Sequence, residues 1–495
     1  MSHQVAVVGA GIAGMCTALA LSRQNFDVTI FERDIAPPEG DADQAFFAWQ
    51  RRGAAQFRHP HAFLGLMCSL LEEHYPDLLD ALFDAGARRL NFEDMVPPHL
   101  LDKYQPEAGD EKLWMLMCRR ATVETVLRNY VQAQQHIKIH NTTYVTNINT
   151  EWHDNTLNVT GLQLTDRQNN NQRQDWQGDL VVDATGRTSK FPQWLQAAGL
   201  PPIEEQRDDA EIVYYTRHYQ LKPGIEEPSR HNNDPAAGDL GYMKYGVFPG
   251  DGGHFALIIC LPHGETELRE AVKNGDHFDQ ICRTVPGLVP WIAQDKATPT
   301  TDPFGIGQIH AVWRNYLDQD RAVVHNFFAV GDAAVRTNPL YGRGCSTGIL
   351  HAHLLAEVLA KQSDPEQRAV EFQQLTNDKL RPIFDASLRE DKNGIKRAEA
   401  VMNDQPRDSA DGIKKWLGLA FGDALAAAAR YNIHVFRGMM RTVNLVEKPG
   451  DFLNDARIKR TIFLYMLRGR KHNAKARVQR GLSRREMMAH VQQLT

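Results

Sequence analysis

Short continuous apolar runs alternate with amphipathic stretches through the first third of the chain. Val5-Ala6-Val7-Val8 and Val28-Thr29-Ile30-Phe31 have the length and make-up of buried strands, and the residues between them carry a helical pattern to about Gln24. Residues 64–86 read as helical. Arg119-Arg120-Ala121-Thr122-Val123-Glu124 opens a further helix, with Thr122 as its expected cap. Residues 137–148 and 157–164 read as strands around a polar hairpin, with an exposed turn at Asn169-Asn170-Asn171. Leu180-Val181-Val182 is another short strand and ends at Asp183. From Ile212 the pattern becomes alternating and aromatic. Residues 212–221, 242–248 and 254–260 are expected strands, the last two joined by a hairpin turn at Asp251-Gly252-Gly253. Residues 265–283 read as helical with a break at Asn274-Gly275-Asp276. Phe327-Phe328-Ala329-Val330 is a buried strand, and residues 346–361 place Ile349, Leu350, Leu354, Leu355, Val358 and Leu359 at helical spacing. After Arg381-Pro382 the chain reads as mostly helical.

This order predicts an α/β fold: a Rossmann-type domain, an inserted antiparallel β layer, and a C-terminal helical region. The expected division is 1–190 for the first part of the nucleotide-binding domain and 191–320 for the inserted sheet. The return to the first domain follows at 321–385, and the helical region at 386–495. A chain of 495 residues suits two or three domains. A net charge of -5 gives no global signal for nucleic acid. No apolar run reaches the length of a membrane span, and the first strand begins too early for a signal peptide. The six cysteines are scattered without a Cys-x-x-Cys pair, so no metal site or disulfide framework is expected and a cytoplasmic location is.

Two glycine-rich stretches carry the chemistry. Gly9-Ala10-Gly11-Ile12-Ala13-Gly14 lies between a strand and a helix. Gly9 permits the tight turn, Gly11 lets the backbone approach a pyrophosphate, and Gly14 lets helix and strand pack closely. Glu32 ends the second strand, where an acid takes ribose hydroxyls, and Arg33 is placed to cover an adenine. Far downstream, Gly331-Asp332 follows a strand and leads through Pro339 to Gly342-Arg343-Gly344-Cys345 at the start of a helix. Asp332 suits a sugar-like hydroxyl, and the helix end suits an electron-rich ring. A flavin with its ribityl chain has both.

The pair of motifs, with Leu180-Val181-Val182-Asp183-Ala184-Thr185-Gly186-Arg187 between them, resembles the FAD-dependent monooxygenase family of aromatic hydroxylases and squalene-type epoxidases. Arg51-Arg52-Gly53-Ala54-Ala55-Gln56-Phe57-Arg58-His59-Pro60-His61 is similar to the Arg-x-Gly-Val-Pro-Gln-x-x-His-x-His segment of an epoxidase-like branch. Ala54 and Ala55 depart from it, and loss of the proline leaves the loop path less defined. The resemblance implies that Arg51, Gln56, His59 and His61 touch flavin or substrate, with Arg52 within reach of the same ligand. It implies that Arg120 reaches the phosphate–ribityl region, that Val145 meets the adenine, and that Asp183 and Gly186 return the chain to the cofactor. His59, His61 and Arg343 are the candidate catalytic residues; Tyr214, Tyr242 and Phe248 are the candidate substrate wall.

The expected activity is insertion of one oxygen atom from O2 into a largely apolar or aromatic small molecule, by hydroxylation or epoxidation in secondary metabolism. FAD is the expected cofactor and NAD(P)H the transient co-substrate. Three alternatives share features of the fold: a flavin-dependent halogenase, whose Trp-x-Trp-x-x-Pro motif this sequence lacks; a flavin-dependent reductase; and a non-catalytic FAD-binding protein. Residues 457–485 are basic, with Arg460, Arg468, Arg470, Lys471, Lys475, Arg477 and Arg480 beside Ile462, Phe463, Leu464, Tyr465 and Leu467. A solvated helical cap and a surface for an anionic membrane or an acidic carrier are both compatible with that composition.

Overall fold

A computed structural model describes residues 3–168, 170–231, 234–405, 412–476 and 480–494. Asn169 of the expected turn and Arg477 of the basic run lie outside the described residues.

The apolar runs assemble into one five-stranded parallel sheet in the order Phe327–Ala329, Leu180–Asp183, Gln4–Val8, Asp27–Phe31, Ile137–His140. Strands from residues 4 and 327 thus share one sheet, one at its centre and one at its edge, and each carries a glycine motif at its carboxyl end. Parallel strands are buried on both faces, which is why these segments read as unbroken apolar runs. The Ile12–Ser22 and Gly344–Lys361 helices pack on each other over one face. Their contact is close because it is made by small residues. A Cβ on Gly331 would stand 2.8 Å from the Ala13 Cβ, and one on Gly348 3.3 Å from it. Gly14 is pressed against the Gly9 carbonyl: a Cβ there would stand 1.9 Å from that oxygen. Thr143–His153, Thr156–Asp166 and Gln172–Gln177 form an antiparallel meander beside the sheet.

The second layer is a six-stranded antiparallel sheet containing Lys244–Pro249, His254–Pro262 and Ile212–Leu221. Alternation divides its side chains. Val213, Tyr215, Tyr219, Phe255, Leu257, Ile259 and Leu261 face a core closed by the Thr266–Ala271 and Gly275–Arg283 helices. Asn274 caps the second of these, accepting from the Asp276 and His277 backbone N–H groups, so the expected break is where the polar triplet falls. Tyr214, Gly246, Phe248, Ile258 and Cys260 face the opposite way, into a cavity.

Two expectations fail here. Thr122 does not cap the Arg120–Gln132 helix; its hydroxyl donates to Asp251 (2.8 Å), whose carboxylate also takes the Arg119 backbone N–H (2.8 Å). Nor do elements divide at 385/386, since the chain continues helical through Pro382. A single helix runs Pro365–Met402, so the division expected at 385/386 falls inside it. A proline in a helix interior removes one hydrogen bond. Here the buried Leu380, Ile383, Phe384 and Leu388 hold the segment against the parallel-sheet core and outweigh that loss. Among the described residues no helix is long and apolar enough to cross a membrane.

Replacing Gly14 by Val is expected to destabilise the protein by about 3 kcal/mol or more, because the new atoms meet backbone that cannot move aside. Urea unfolding of the variant measures this. An unchanged midpoint would contradict the helix–strand distance described.

Candidate functional site

A cavity of about 970 Å³ runs from the carboxyl ends of the parallel strands to the antiparallel sheet. Its first half is lined by Gly9, Gly11, Ile12, Ala13, Glu32, Arg33, Val145, Gly186, Gly331, Asp332, Pro339, Gly342, Gly344 and Cys345. Arg51, Gln56, His59, His61 and Arg120 line it from the side, and Tyr214 and Phe248 from the sheet. Most of the sequence candidates are therefore brought to one place from segments hundreds of residues apart.

Beneath the first glycine loop lies a buried ion network. Arg51 donates to Glu124 through Nε (3.0 Å), to Asp34 through Nη1 (3.0 Å) and to the Ala10 carbonyl through Nη2 (2.6 Å), and its Nη1 lies 3.1 Å from Glu32. Burial works against its charge, but Glu124, Glu32 and Asp34 outweigh that and hold the guanidinium above its ordinary value. Glu32 accepts from the Ala10 N–H (2.7 Å) and the Asp34 N–H (2.9 Å), so the strand end, the loop and the Arg51 segment are locked together. Arg120 donates to Glu124 (2.5 Å) and to His61 Nε2 (2.9 Å). For Glu124, burial opposes ionisation, but Arg120 and Arg51 hold its carboxyl below the usual range.

The expected catalytic residues are placed differently from the expectation. His61 Nδ1 lies 2.8 Å from the His59 carbonyl and must donate to it, so Nε2 accepts from Arg120 and has no lone pair left for a substrate. Burial, then the Arg120 charge, lower its pKa to about 3. His61 is a neutral spacer that positions Arg120. His59 stays at the cavity with Nδ1 2.9 Å from Thr216 Oγ1, and burial lowers its pKa to about 4. Arg343 is turned away: it bonds Ser387 and the Ile383 carbonyl and pairs with Glu390 (3.2 Å) on the long helix. Only the backbone beside it borders the cavity. Tyr242 is likewise corrected; it lies in the far core of the sheet and donates to the Leu482 carbonyl (2.8 Å). Arg52 is exposed on the loop surface, its carbonyl accepting from Arg33 (3.4 Å). Asp183 is fully buried, accepting from Thr185 and Ser189, and burial raises its pKa. It shapes the turn that presents Gly186 rather than reaching the cavity itself.

The residues suit an FAD. Asp332 borders the cavity, and among the described residues no hydrogen bond to its carboxylate is found; burial raises its pKa while Arg336, Arg120 and Arg187 lower it. Thr337 also lines the cavity, and its buried hydroxyl has no partner among the described residues. These groups match a hydroxyl-bearing chain. A Cβ on Gly11 would meet nothing within 4 Å, so the space above the loop is left for a ligand, and the N-terminus of the Ile12–Ser22 helix opens onto it. The Gly344–Lys361 helix has no acidic residue in its first turn and meets the cavity through Gly344 and Cys345.

Sequence reasoning missed several contributors. Glu124 had no local signal, because its partner Arg51 lies 73 residues away. His351 sits mid-helix as an apparent core residue. The Gly331 N–H donates to its Nδ1 (3.2 Å), so its Nε2 carries the proton and donates to Thr376 (3.0 Å). Burial lowers its pKa to about 3. Lys244 lines the cavity, and its alternation with Gly246 and Phe248 was the legible clue. Tyr341 also lines it, donating to Asp391 (2.8 Å), which in turn takes the Asn338 amide (2.6 Å). Asn338 accepts the Tyr214 hydroxyl and so fixes that side chain in the cavity wall. Among the described residues no cluster of metal-ligating side chains is found.

Comparison with known proteins places these features. Residues 4–45 match the FAD dependent oxidoreductase family model. The chain is 26% identical over 381 residues to Protein Rv3254 of Mycobacterium tuberculosis, covering 72% of this chain and 73% of that protein. It is 21% identical over 402 residues to kynurenine 3-monooxygenase of Xanthomonas oryzae pv. oryzae, covering 78% of each. Among solved structures, the flavin-dependent brominase Bmp2 aligns with a TM-score of 0.61 at 12% identity, over 96% of this chain and 100% of that one. The p-nitrophenol 4-monooxygenase PnpA of Pseudomonas putida aligns with a TM-score of 0.57 at 16% identity, over 91% and 99%. The chain has the FAD-binding fold that flavin-dependent monooxygenases share with halogenases, and FAD is its cofactor.

Two outcomes test the site. Gly11→Ala is expected to leave the cofactor-free protein within about 0.5 kcal/mol of wild type in urea unfolding. It should weaken FAD binding about ten-fold or more, read by fluorescence titration, since the methyl enters the ligand's space. For Glu124 the sign follows from its depressed pKa. The carboxylate adds stability above the unfolded value of about 4.3 and loses it as pH falls through the folded value. The stability gap between wild type and Glu124→Gln should therefore be widest near neutrality and close below about pH 4. A gap constant from pH 7 to pH 3 would contradict the ion network.

Proposed function

We propose that this FAD-dependent oxidoreductase is a monooxygenase that inserts one oxygen atom of O2 into a largely apolar or aromatic small molecule, with NAD(P)H as reductant. The observation that supports this reading is the continuity of the cavity. The cofactor-sized groove and the inner face of the antiparallel sheet border one continuous cavity. Bound FAD supplies the redox and oxygen chemistry.

The protein's part is binding, orientation and exclusion of water. Gly11, Ile12 and Ala13 present backbone to a pyrophosphate, Glu32 faces the ribose, and Asp332 with Thr337 takes the hydroxylated chain. Arg51, Arg120 and His61 hold the glycine loop and side wall rigid, so little reorganisation accompanies binding. Tyr214, Phe248, Ile258 and Leu340 supply an apolar wall over the cofactor end of the cavity, which keeps water from the reacting atoms. His59 is neutral at physiological pH and holds the sheet to the loop through Thr216. No catalytic base is assigned to it. The kynurenine 3-monooxygenase relative and the PnpA fold likeness favour oxygen insertion into an aromatic compound, and the Bmp2 likeness keeps halogenation as the alternative to test.

The test is anaerobic mixing of the FAD-loaded protein with NADH or NADPH, followed by admission of oxygen. Loss of the flavin absorbance with NAD(P)H, restored by oxygen, is expected. Incubation with an aromatic substrate panel should give products heavier by one oxygen atom. Flavin reduction that oxygen does not reverse would replace this reading with a reductase. Bromide-dependent products would replace it with a halogenase. Asp332→Ala should lose FAD affinity about ten-fold or more, read by the FAD retained after desalting, because a buried carboxylate–hydroxyl bond is lost.

A further inference from the structure

Exposed apolar side chains are unevenly distributed over this molecule. Thirteen large hydrophobic residues stand exposed among the described residues, and nine of them lie after residue 411. The densest group is on the Ala456–Leu467 helix. Its inner stripe, Ile458, Ile462 and Tyr465, packs into a small core with the Ile413–Tyr431 helix. Its outer stripe is Arg460, Phe463, Leu464 and Leu467, at i, i+3, i+4 and i+7, which is one face of a helix. Phe463 is 59% exposed and Leu467 68%, so these side chains stand out from the surface and do not line a groove. The neighbouring helix repeats the feature. Ile413, Trp416, Leu417 and Phe421 continue the stripe that is buried at Ala420, Ala424 and Ala427, but they are exposed, Ile413 at 80%.

The charge along this segment is mostly of one sign, with Asp455 beside Arg457 (3.5 Å) and Asp423 beside Arg470 (3.1 Å) as the acids the structure sets against it. Residues 456–485 contain eleven Lys and Arg and no Asp or Glu, in a chain whose net charge is -5. Arg457, Lys459, Arg460, Arg468, Lys471 and Lys475 are all exposed. An apolar ridge flanked by cations is the chemistry that seats a helix in the headgroup–acyl boundary of an anionic bilayer. A second copy of the chain is disfavoured as the occupant, because two such faces would oppose like charges. An acidic protein would neutralise the charge, but protruding ridge side chains need a deformable medium or a matching groove, and lipid supplies the first without a dedicated partner.

We infer that the outer face of the Ala456–Leu467 helix docks this protein on an anionic lipid surface. The contact is peripheral: the apolar ridge enters the interface, the basic rim meets the headgroups, and the FAD domain stays in water. This inference stands apart from the proposed reaction and does not depend on it.

Co-sedimentation of the FAD-loaded full chain with lipid vesicles tests it, using phosphatidylcholine alone and phosphatidylcholine with about one-third phosphatidylglycerol. Binding to the mixed vesicles and not to the neutral ones is expected, with release at high salt. The double variants Phe463→Ser/Leu467→Ser and Arg460→Glu/Lys471→Glu should each lower the partition coefficient about ten-fold or more. All four positions are exposed, so FAD content and thermal midpoint should stay at wild-type values; they serve as the folding control. No binding, equal binding to neutral vesicles, or binding unchanged by both variants would overturn the inference. So would a dimer in light scattering that Phe463→Ser/Leu467→Ser dissociates, or retention by a purified acidic carrier protein without vesicle binding.

Discussion

Arg51 and its three carboxylates are the constraint on which the site depends. One guanidinium ties the Ala10 carbonyl in the first glycine loop to Glu32 and Asp34 beyond the second strand and to Glu124 on a distant helix. Three buried acids without that cation would repel one another and lose solvation together. With it, the loop, the strand end and the helix hold one geometry before any ligand arrives. Arg120 extends the network to His61, whose tautomer is set by the His59 carbonyl, and the chain of contacts ends at Thr216 on the antiparallel sheet. The glycine-loop side and the antiparallel-sheet side of the cavity are thereby joined through hydrogen bonds as well as by packing.

Preorganisation at the other motif uses a different device. The turn at Gly331 and Asp332 lies against Ala13, and its backbone N–H is received by a neutral His351 inside the following helix. A buried histidine with a fixed tautomer gives one directional acceptor and adds no charge beside Asp332. That leaves the Asp332 carboxylate, already desolvated, facing the cavity beside Arg336, Arg120 and Arg187. The site thus combines a charged lock under the first glycine loop with an uncharged lock under the second. The wall above them is chosen by strand parity: Tyr214 faces in and Tyr215 out, Phe248 in and Val247 out.

The C-terminal helices close the molecule in two distinct ways. The last helix, Arg484–Leu494, returns to the back of the antiparallel sheet, placing Met487 and Val491 in its core and Arg484 against Glu265. The helices before it form their own small core and leave an apolar, basic face uncovered. Segments of one composition therefore serve as core in one place and as surface in another, and only their packing partners distinguish them.

How much of this was legible follows from the range of each interaction. Local order, the glycine loops and the shared cavity could be read from the chain, because glycine freedom, strand length and strand-end acids act within a few residues. Gly9, Gly11, Gly14, Glu32, Gly331, Asp332 and Gly344 stand where those rules put them. What the sequence could not decide were partners far apart along it. The role of Arg51 beneath the loop was not legible because Glu124 is invisible from its neighbourhood, and Arg343 was read as a site residue because Glu390 and Ser387 lie on another helix. Tyr214 lies within a strand and faces the cavity, whereas Tyr242 precedes its strand and turns into the far core, and Pro382 broke no helix because tertiary packing outweighed its lost hydrogen bond. The sequence by itself determined the elements and the cofactor motifs, since backbone propensity and local sterics are short-ranged. The tertiary structure alone decided which charged side chains meet the ligand and which are consumed by one another, since a buried charge goes to whatever counter-charge the fold brings nearest.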